Sequence, residues 1–198
     1  GKVLIKKKKV YGQAFTLYAY SEYYKATGNN DILDEAVKIF DLIEKYHYDE
    51  KNGGYFETCE KDWKMTEEMR LSDSDMNEKK SMNAHLHVME AYSSLLKVWK
   101  NEKLASRLKE LIHVFLEKII DHKSHHFKLF FDEFWNEKSQ AVSYGHDIEG
   151  SWLLMEAAEC LGDEVLLGRV KTAALKLAEV TLKKGLSANY GVFSELSN

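Results

Sequence analysis

The sequence repeats itself at a nearly constant interval. Tyr55 in one aromatic stretch corresponds to Phe127 in a second stretch, and Trp63 corresponds to Trp135. The number of residues from the first stretch to the second is the same for both correspondences. Phe193 follows Phe127 at a slightly shorter interval, in a third such stretch. Because neighbouring repeats bury their apolar faces against each other, this periodicity predicts one supersecondary unit used several times in a row.

Apolar residues recur at helical spacing in six segments, which predicts six helices. The segments cover residues 11–27, 31–47, 77–99, 101–121, 147–161 and 163–184. Short polar joints separate the members of each pair, so each pair is predicted to form an antiparallel αα-hairpin. The aromatic stretches between pairs alternate in polarity, which predicts brief strands. The sequence contains no proline, in keeping with uninterrupted helices, since proline removes a helical hydrogen bond.

One hairpin and the connector after it make one unit, and the units span residues 11–63, 77–135 and 146–195 of a single domain. Repeated hairpins can stack into an open solenoid or close into an α/α toroid, and strands between hairpins favour the toroid. We therefore predict an all-α fold of the (α/α)6-barrel type with short β connections, in which three hairpins make half a ring. A half ring exposes apolar surface, so we expect self-association or a longer polypeptide.

Composition excludes several classes of protein. With 44% hydrophobic residues the chain can bury a core, and its net charge of -4 gives no surface for nucleic acid. We expect the basic run of residues 6–9 to be solvated strand surface. No apolar stretch is long enough to cross a membrane, and no signal peptide is visible. Cys59 and Cys160 form no CxxC pair, so a reducing, cytoplasmic location is expected.

The repeat register brings three polar helix starts to equivalent places. Tyr11 corresponds to Asn83 at the same separation as the aromatic residues, and Asn83 corresponds to His146 at a somewhat shorter one. In a ring, the leading ends of the first helices of successive hairpins converge on one mouth. The register therefore predicts a polar cluster built from residues that are far apart along the chain.

His146 is the strongest candidate for proton transfer in this cluster. An imidazole titrates near neutral pH and can move protons between carbon and solvent. Glu149 follows one turn later and is expected to hold the ring and raise its basicity. Trp152 shares their helix face and is a candidate platform for a sugar ring. The alternative for each is an ordinary core or surface residue.

Asn83 and His87 are four residues apart and share one helix face, which suits hydrogen bonding to a sugar or carbonyl oxygen. The alternative is a pair of polar residues at the edge of a groove. His85 is turned away from both, so we expect it to be structural, and its spacing opposes a metal site. The connector carries further histidines that we expect to be solvent-exposed: His122, His125 and His126.

Three segments of the chain resemble the corresponding segments of cellobiose 2-epimerases, which are members of the N-acylglucosamine 2-epimerase superfamily. The segments are SYGHDIEGSWLL, KSMNAHLHVMEAY and YGQAFTLYAYSEYY. The likeness runs over nearly the whole chain and implies an (α/α)6 barrel. It also implies that His146 is one of two histidines that exchange the C2 proton of a sugar, with Glu149 as its supporting acid and Trp152 beside it.

The same resemblance implies that Asn83 and His87 contact the sugar around its C1 and C2 oxygens, and that Tyr11 lies at the pocket edge. The implied reaction interconverts glucose and mannose at the reducing end of a β-1,4-linked disaccharide such as cellobiose. It proceeds by ring opening and a cis-enediolate, without metal or nicotinamide.

Two parts of the family's machinery have no counterpart in these residues. The second proton-transfer histidine lies in a later hairpin of the family, and the arginine that binds the enediolate lies in an earlier one. The arginines of this chain fit no corresponding motif of the family. Lys9 stands at a position where the family often has histidine. We therefore expect this stretch of sequence to carry only part of an active site.

Other functions remain open at this point. An aldose-ketose isomerase of the same superfamily would use the same enediolate and return the proton to C1. A non-catalytic carbohydrate-binding or scaffold module would bind sugar without exchanging its protons. A toroidal glycosidase is a weaker alternative, because it needs two carboxylates across the scissile bond and only Glu149 clearly faces the predicted mouth.

Overall fold

A computed structural model describes residues 6–189, 191–193 and 195–196 of the chain. The described part contains six α-helices in three consecutive pairs. They are α1 (Val10–Thr27), α2 (Asn30–Tyr46), α3 (Met82–Val98), α4 (Glu102–Val114), α5 (Tyr144–Leu161) and α6 (Glu164–Lys184). A short π-helical turn, Phe115–Ile119, continues α4.

Polar and glycine residues end and start these helices at the predicted joints. Gly28 and Gly162 close α1 and α5 in the left-handed conformation, with φ of 67° and 69°, which glycine adopts without steric cost. Asn29, Asn101 and Asp163 each accept a hydrogen bond from a backbone N–H in the first turn of the following helix. These caps satisfy orphan N–H groups and make each hairpin a sharp reversal.

The helices form two layers, as the toroid prediction requires. In the inner layer α1, α3 and α5 lie side by side, with α3 in the middle. In the outer layer α2 packs on α1, α4 packs on both α3 and α5, and α6 packs on α5. Most residues of α3 are buried, because this helix has neighbours on both flanks and behind. The arrangement confirms an α/α-toroid fold in partial form.

Two-residue strands connect the hairpins. They are β1 (Lys8–Lys9), β2 (Thr58–Cys59), β3 (Lys80–Ser81), β4 (Phe130–Phe131), β5 (Val142–Ser143) and β6 (Glu195–Leu196). They pair antiparallel as β1–β2, β3–β4 and β5–β6. Each of β1, β3 and β5 leads directly into an inner helix, so each pair ties the start of a first helix to the connector after its own hairpin.

Strand pairing sets the repeat register more strictly than the aromatic residues do. Because each inner helix starts directly after its strand, at Met82 for α3 and at Tyr144 for α5, His146 lies one position further into its helix than Asn83 does. Equivalent single bridges join Tyr48 to Tyr55, Ile120 to Phe127 and Leu186 to Val192. Val192, rather than Phe193, is therefore the counterpart of Phe127, since backbone pairing and not side-chain similarity defines the position.

Two inner helices begin at different residues from those predicted. The third helix was expected from residue 77 and begins at Met82, because residues 80–81 pair with β4 and Ser81 caps the helix by accepting the N–H of Ala84. The fifth helix was expected from residue 147 and begins at Tyr144, directly after β5. In both cases a long-range strand pair sets a boundary that helical periodicity alone misplaces.

Only Lys8 and Lys9 of the basic run, residues 6–9, form β1, and the run is not simply solvated. The ammonium groups of Lys7 and Lys9 donate hydrogen bonds to the backbone oxygens of Glu68 and Leu71. The Lys8 ammonium lies 4.5 Å from the centre of the Trp63 ring. The lysines therefore hold the long connector between α2 and α3 against the start of α1.

The last hairpin exposes apolar side chains, as a half ring should. These are Ile148 and Trp152 of α5, and Val165, Leu175 and Leu182 of α6.

Within the described residues, no helix combines the length and the apolar character that crossing a membrane requires.

Close packing of α5 against the preceding connector makes Gly150 a sensitive position. A methyl carbon added at Gly150 would overlap the buried ring of Phe127. We predict that Gly150→Ala lowers the free energy of unfolding by about 2 kcal/mol through overpacking, measured by urea denaturation.

Gly168 provides the matched control, since it lies in α6 and an added methyl carbon meets no atom within 4 Å. Gly168→Ala should stabilise the protein by up to about 1 kcal/mol, because alanine has the higher helix propensity. Equal effects of the two substitutions would contradict the packing described here.

Candidate functional site

A cleft of about 280 Å³ opens between the leading ends of α3 and α5. Asn83, in the first turn of α3, and His146, in the first turn of α5, both line it. Part of the connector between α2 and α3, residues 70–78, forms another wall. The fold thus brings together two of the residues that the repeat register placed at a common mouth.

Ser143 holds the His146 ring in the cleft. The Oγ atom of Ser143 lies 2.7 Å from His146 Nδ1, and Nε2 makes no hydrogen bond with the described residues. A serine hydroxyl can donate to Nδ1 or accept from it, so either tautomer of the ring is supported. His146 can therefore present Nε2 to the cleft as a proton acceptor or as a proton donor.

The expected contact between Glu149 and His146 is wrong in its detail. Glu149 is half-buried one turn along α5 and makes no hydrogen bond to the His146 ring. The spacing of Glu149 and His146 along α5 was misleading because a serine before the helix takes the place expected for the glutamate. The equivalent serine of the preceding unit, Ser81, instead caps its own helix by accepting the N–H of Ala84. Ser143 makes no such cap and bonds to the histidine instead.

Asn83 carries an unused acceptor at the edge of the cleft. Its Oδ1 atom is buried and has no hydrogen-bond partner among the described residues. An amide oxygen removed from water without a partner costs free energy, roughly 1–3 kcal/mol. Asn83 itself lines the cleft, so a rotation of its side chain would bring this oxygen within reach of a ligand hydroxyl that could donate to it.

Tyr11, His87 and Glu149 belong to a polar cluster that adjoins the cleft. The rings of Tyr11 and His87 have centroids 5.2 Å apart, and His87 Nδ1 lies 2.9 Å from Glu90 Oε2. Burial raises the pKa of the Tyr11 hydroxyl, and the charges of Glu149 and Glu90 raise it further. The cluster therefore joins the leading parts of α1, α3 and α5, although none of these residues lines the cleft itself.

Trp152 lies outside the cleft. Its side chain is 55% exposed on α5, and the cleft walls do not include it. The exposed ring face is accessible to a ligand, but in the structure it is two turns away from His146 along the helix.

His85 is structural, as its position predicts. The fully buried ring lies 2.6 Å from the backbone oxygen of Ser81 through Nδ1, and Nε2 accepts the N–H of Tyr55. Burial lowers the pKa of His85 to about 3, and the charge of Lys80 adds to this effect. The ring is therefore a neutral bridge between the connector and α3.

The expectation that the connector histidines are all exposed is wrong for His126. This ring is buried, and its Nδ1 lies 2.7 Å from Oδ2 of Asp147, which is itself fully buried. The other carboxylate oxygen of Asp147 accepts the N–H of Phe127. The pair anchors the connector to the first turn of α5, next to His146, and a partner so far along the chain could not be read from the local pattern.

Glu57 is a cleft residue that the sequence reasoning missed. It is only 5% exposed, it lines the cleft, and its Oε1 atom accepts the N–H of Ser81 at 2.7 Å. Burial raises the pKa of the Glu57 carboxyl to about 8. The repeat could have pointed to Glu57. The equivalent position of the next unit holds Leu129, so an acidic residue replaces an apolar one at this position.

Nothing in the described ranges suggests a metal centre. Across residues 6–189, 191–193 and 195–196, no group of three or more His, Cys, Asp or Glu side chains is arranged to hold a metal ion.

Two inner helices, α3 and α5, flank a cleft lined by a histidine and an amide, and α1 lies beside α3 in the same layer. This arrangement defines a protein of the α/α-toroid class with a polar mouth. The sequence profile of the N-acylglucosamine 2-epimerase (GlcNAc 2-epimerase) family matches residues 1–197. The chain belongs to this family.

Two known proteins that are similar to this chain are both named cellobiose 2-epimerase. Cellobiose 2-epimerase of Bacteroides fragilis is 43% identical over 195 residues, which is 98% of this chain and 50% of that protein. Cellobiose 2-epimerase of Dictyoglomus turgidum is 37% identical over 188 residues, covering 95% of this chain and 48% of that protein. The chain thus spans about half the length of the curated relatives it matches.

Solved structures agree with this assignment of the fold. The structure of cellobiose 2-epimerase from Bacillus thermoamylovorans B4167 superposes with a TM-score of 0.92 at 35% identity, covering 98% of this chain and 49% of that one. A D-mannose isomerase superposes with a TM-score of 0.81 at 22% identity, covering 100% of this chain and 49% of that one, and shares the fold.

The buried neutral ring of His85 leads to a pH-dependent prediction. Its pKa is about 3 in the folded chain and 6.5 ordinarily, so the unfolded chain takes up a proton first as the pH falls. The stability contributed by His85 is complete above pH 6.5 and declines toward pH 3. We predict that His85→Ala costs about 3 kcal/mol at pH 7 and about 2 kcal/mol less at pH 5.

Urea denaturation of both proteins at the two pH values measures the difference. His122→Ala, at an exposed histidine of the connector, is the control and should change stability little at either pH. A cost of His85→Ala that stays constant between pH 7 and pH 5 would show that the ring is not held neutral.

Proposed function

We propose that these residues form part of a sugar 2-epimerase that interconverts glucose and mannose at the reducing end of a β-1,4-linked disaccharide. Membership of the family supports a sugar epimerase or isomerase, and the cellobiose 2-epimerases among its relatives favour the disaccharide. The observation that carries the proposal is a cleft lined by both His146 and Asn83, whose Nε2 and Oδ1 atoms have no partner among the described residues.

The chemistry of epimerisation accounts for these unpaired groups. A C2 proton is acidic only when the adjacent carbonyl can accept charge, so the sugar must open to its aldehyde form. His146 exchanges the C2 proton through Nε2, while Ser143 adjusts to either tautomer at Nδ1. Asn83 accepts a hydrogen bond from a sugar hydroxyl and so orients the open chain.

The neighbouring polar cluster extends the binding surface. We assign His87 to the sugar oxygens near C1 and C2, with Tyr11 at the edge of the pocket. Glu149 supports the site through its charge rather than through a hydrogen bond to the ring of His146. Trp152 offers an exposed aromatic face on which a second sugar unit can lie.

One alternative of the same chemistry keeps every residue in its role. In an aldose-ketose isomerase the enediolate receives its proton at C1 instead of C2. A non-catalytic module of the family would bind sugar in the same cleft and leave the C2 proton in place. The presence of deuterium taken up from the solvent, and the carbon that carries it, separate all three functions.

We predict that a polypeptide carrying these residues together with the rest of the family's length incorporates deuterium at C2 of the reducing-end sugar when it is incubated with cellobiose in D2O. Label at C2 of a mannose unit indicates epimerisation, and label at C1 of a ketose indicates isomerisation. His146→Gln should slow the incorporation by at least about 100-fold, because a positioned general acid-base group contributes this much. NMR of the recovered sugar measures both the rate and the position.

His122→Gln is the matched control, since His122 is an exposed histidine away from the cleft. It should incorporate deuterium at the wild-type rate. Sugar binding without any incorporation would favour the non-catalytic module, and an unchanged rate in His146→Gln would reject His146 as the proton-transfer group.

A further inference from the structure

The backbone of Glu57 occupies a fixed place at the junction of two inner helices. Its carbonyl oxygen accepts the N–H of Val10, the first residue of α1, at 2.9 Å. Its own N–H donates to the carbonyl oxygen of Lys79, just before β3. The side chain consequently enters the cleft wall from a rigid support.

The repeat shows that this position does not need a carboxyl group for packing. In the second unit, Met82 begins α3 and donates its N–H to the carbonyl oxygen of Leu129 at 2.8 Å, as Val10 does to Glu57. Leu129 and Glu57 both line the same cleft. A leucine therefore serves the equivalent structural position, and the acid at residue 57 calls for a separate explanation.

The carboxyl of Glu57 is only partly used inside the protein. Ser81 is its sole hydrogen-bond partner among the described residues, and the contact engages Oε1 as an acceptor. Burial raises the pKa of this carboxyl to about 8, and the charge of Asp75 acts in the same direction, while Ser81 and Lys9 oppose it. A carboxyl with this pKa is mostly protonated at pH 7, and its protonated form has an O–H donor to offer.

We propose that Glu57 is a ligand-binding residue of the cleft, which donates a hydrogen bond from its neutral carboxyl to a sugar oxygen held between Asn83 and His146. The inference rests on the proposed sugar-binding function of the same cleft. It gives the cleft that Asn83 also lines a neutral donor, so that a hydroxyl or carbonyl oxygen can be bound without adding a buried charge.

Several charged or titratable groups share the environment of Glu57. They come from β1, from the connector between α2 and α3, and from α5: Lys9, Arg70, Asp75, Glu78 and His146. A comparison of wild type with a variant at residue 57 keeps all of them in place. The difference between two pH profiles therefore isolates the carboxyl of Glu57.

The experiment measures binding of cellobiitol, the reduced open-chain disaccharide, by calorimetry between pH 6 and pH 9. Cellobiitol has no carbonyl, so neither the protein nor alkali can isomerise it. The proteins are wild type, Glu57→Gln, Glu57→Leu and Glu78→Gln. Glutamine keeps the acceptor for Ser81 and offers an N–H donor that does not titrate, whereas leucine reproduces the residue of the second repeat unit.

We expect wild type to bind about tenfold more weakly at pH 9 than at pH 7, because most of the carboxyl has then lost its proton. Glu57→Gln should bind within about threefold of wild type at pH 7 and keep that affinity at pH 9. Glu57→Leu should bind about tenfold more weakly than wild type at pH 7, and its affinity should not change with pH. Glu78→Gln, at another carboxyl of the cleft, should retain the alkaline loss.

Identical pH profiles for wild type and Glu57→Gln would overturn the role of Glu57 while leaving the proposed function intact. Wild-type affinity in a folded Glu57→Leu protein would do the same. If Glu57→Leu fails the check of folding by near-ultraviolet circular dichroism, the Glu57→Gln profile alone decides. Absence of binding by wild type at every pH would reject the proposed function and, with it, the role of Glu57.

Discussion

Each inner helix begins directly after a two-residue strand, and that strand pairs with the connector that follows the same hairpin. The pairs β1–β2, β3–β4 and β5–β6 are too short to be stable alone. They persist because the two helical layers hold the connectors against the helix starts. This closure places the leading ends of α1, α3 and α5 together, and the cleft with its polar residues follows from it.

The repeated scaffold lets equivalent positions diverge in chemistry. Ser81 and Ser143 both stand directly before an inner helix, but one caps its helix and the other contacts the ring of His146. Glu57 and Leu129 share a backbone role, but one adds a carboxyl to the cleft and the other adds only apolar surface. Repeat symmetry therefore supplies the framework, and departures from it mark the residues that carry the proposed chemistry.

Local periodicity made much of the fold predictable, whereas the site depends on where distant residues lie. Helical spacing identified six helices, and the repeat register placed Asn83 near His146 without any side-chain geometry. The start of α3 was misplaced because residues 80–81 pair with β4, a strand from a distant part of the chain. His126 was expected in solvent and instead contacts the buried Asp147, a partner that no local pattern indicates.

The amino-acid sequence by itself determined the helices, their pairing into hairpins, and the repeat that aligns the helix starts, since these depend on periodicity and capping within short segments. Tertiary structure alone decided which polar atoms at those starts find hydrogen-bond partners and which are left without one. The physical reason is that burial and hydrogen bonding at the mouth are set by chain segments brought together only when the layers pack.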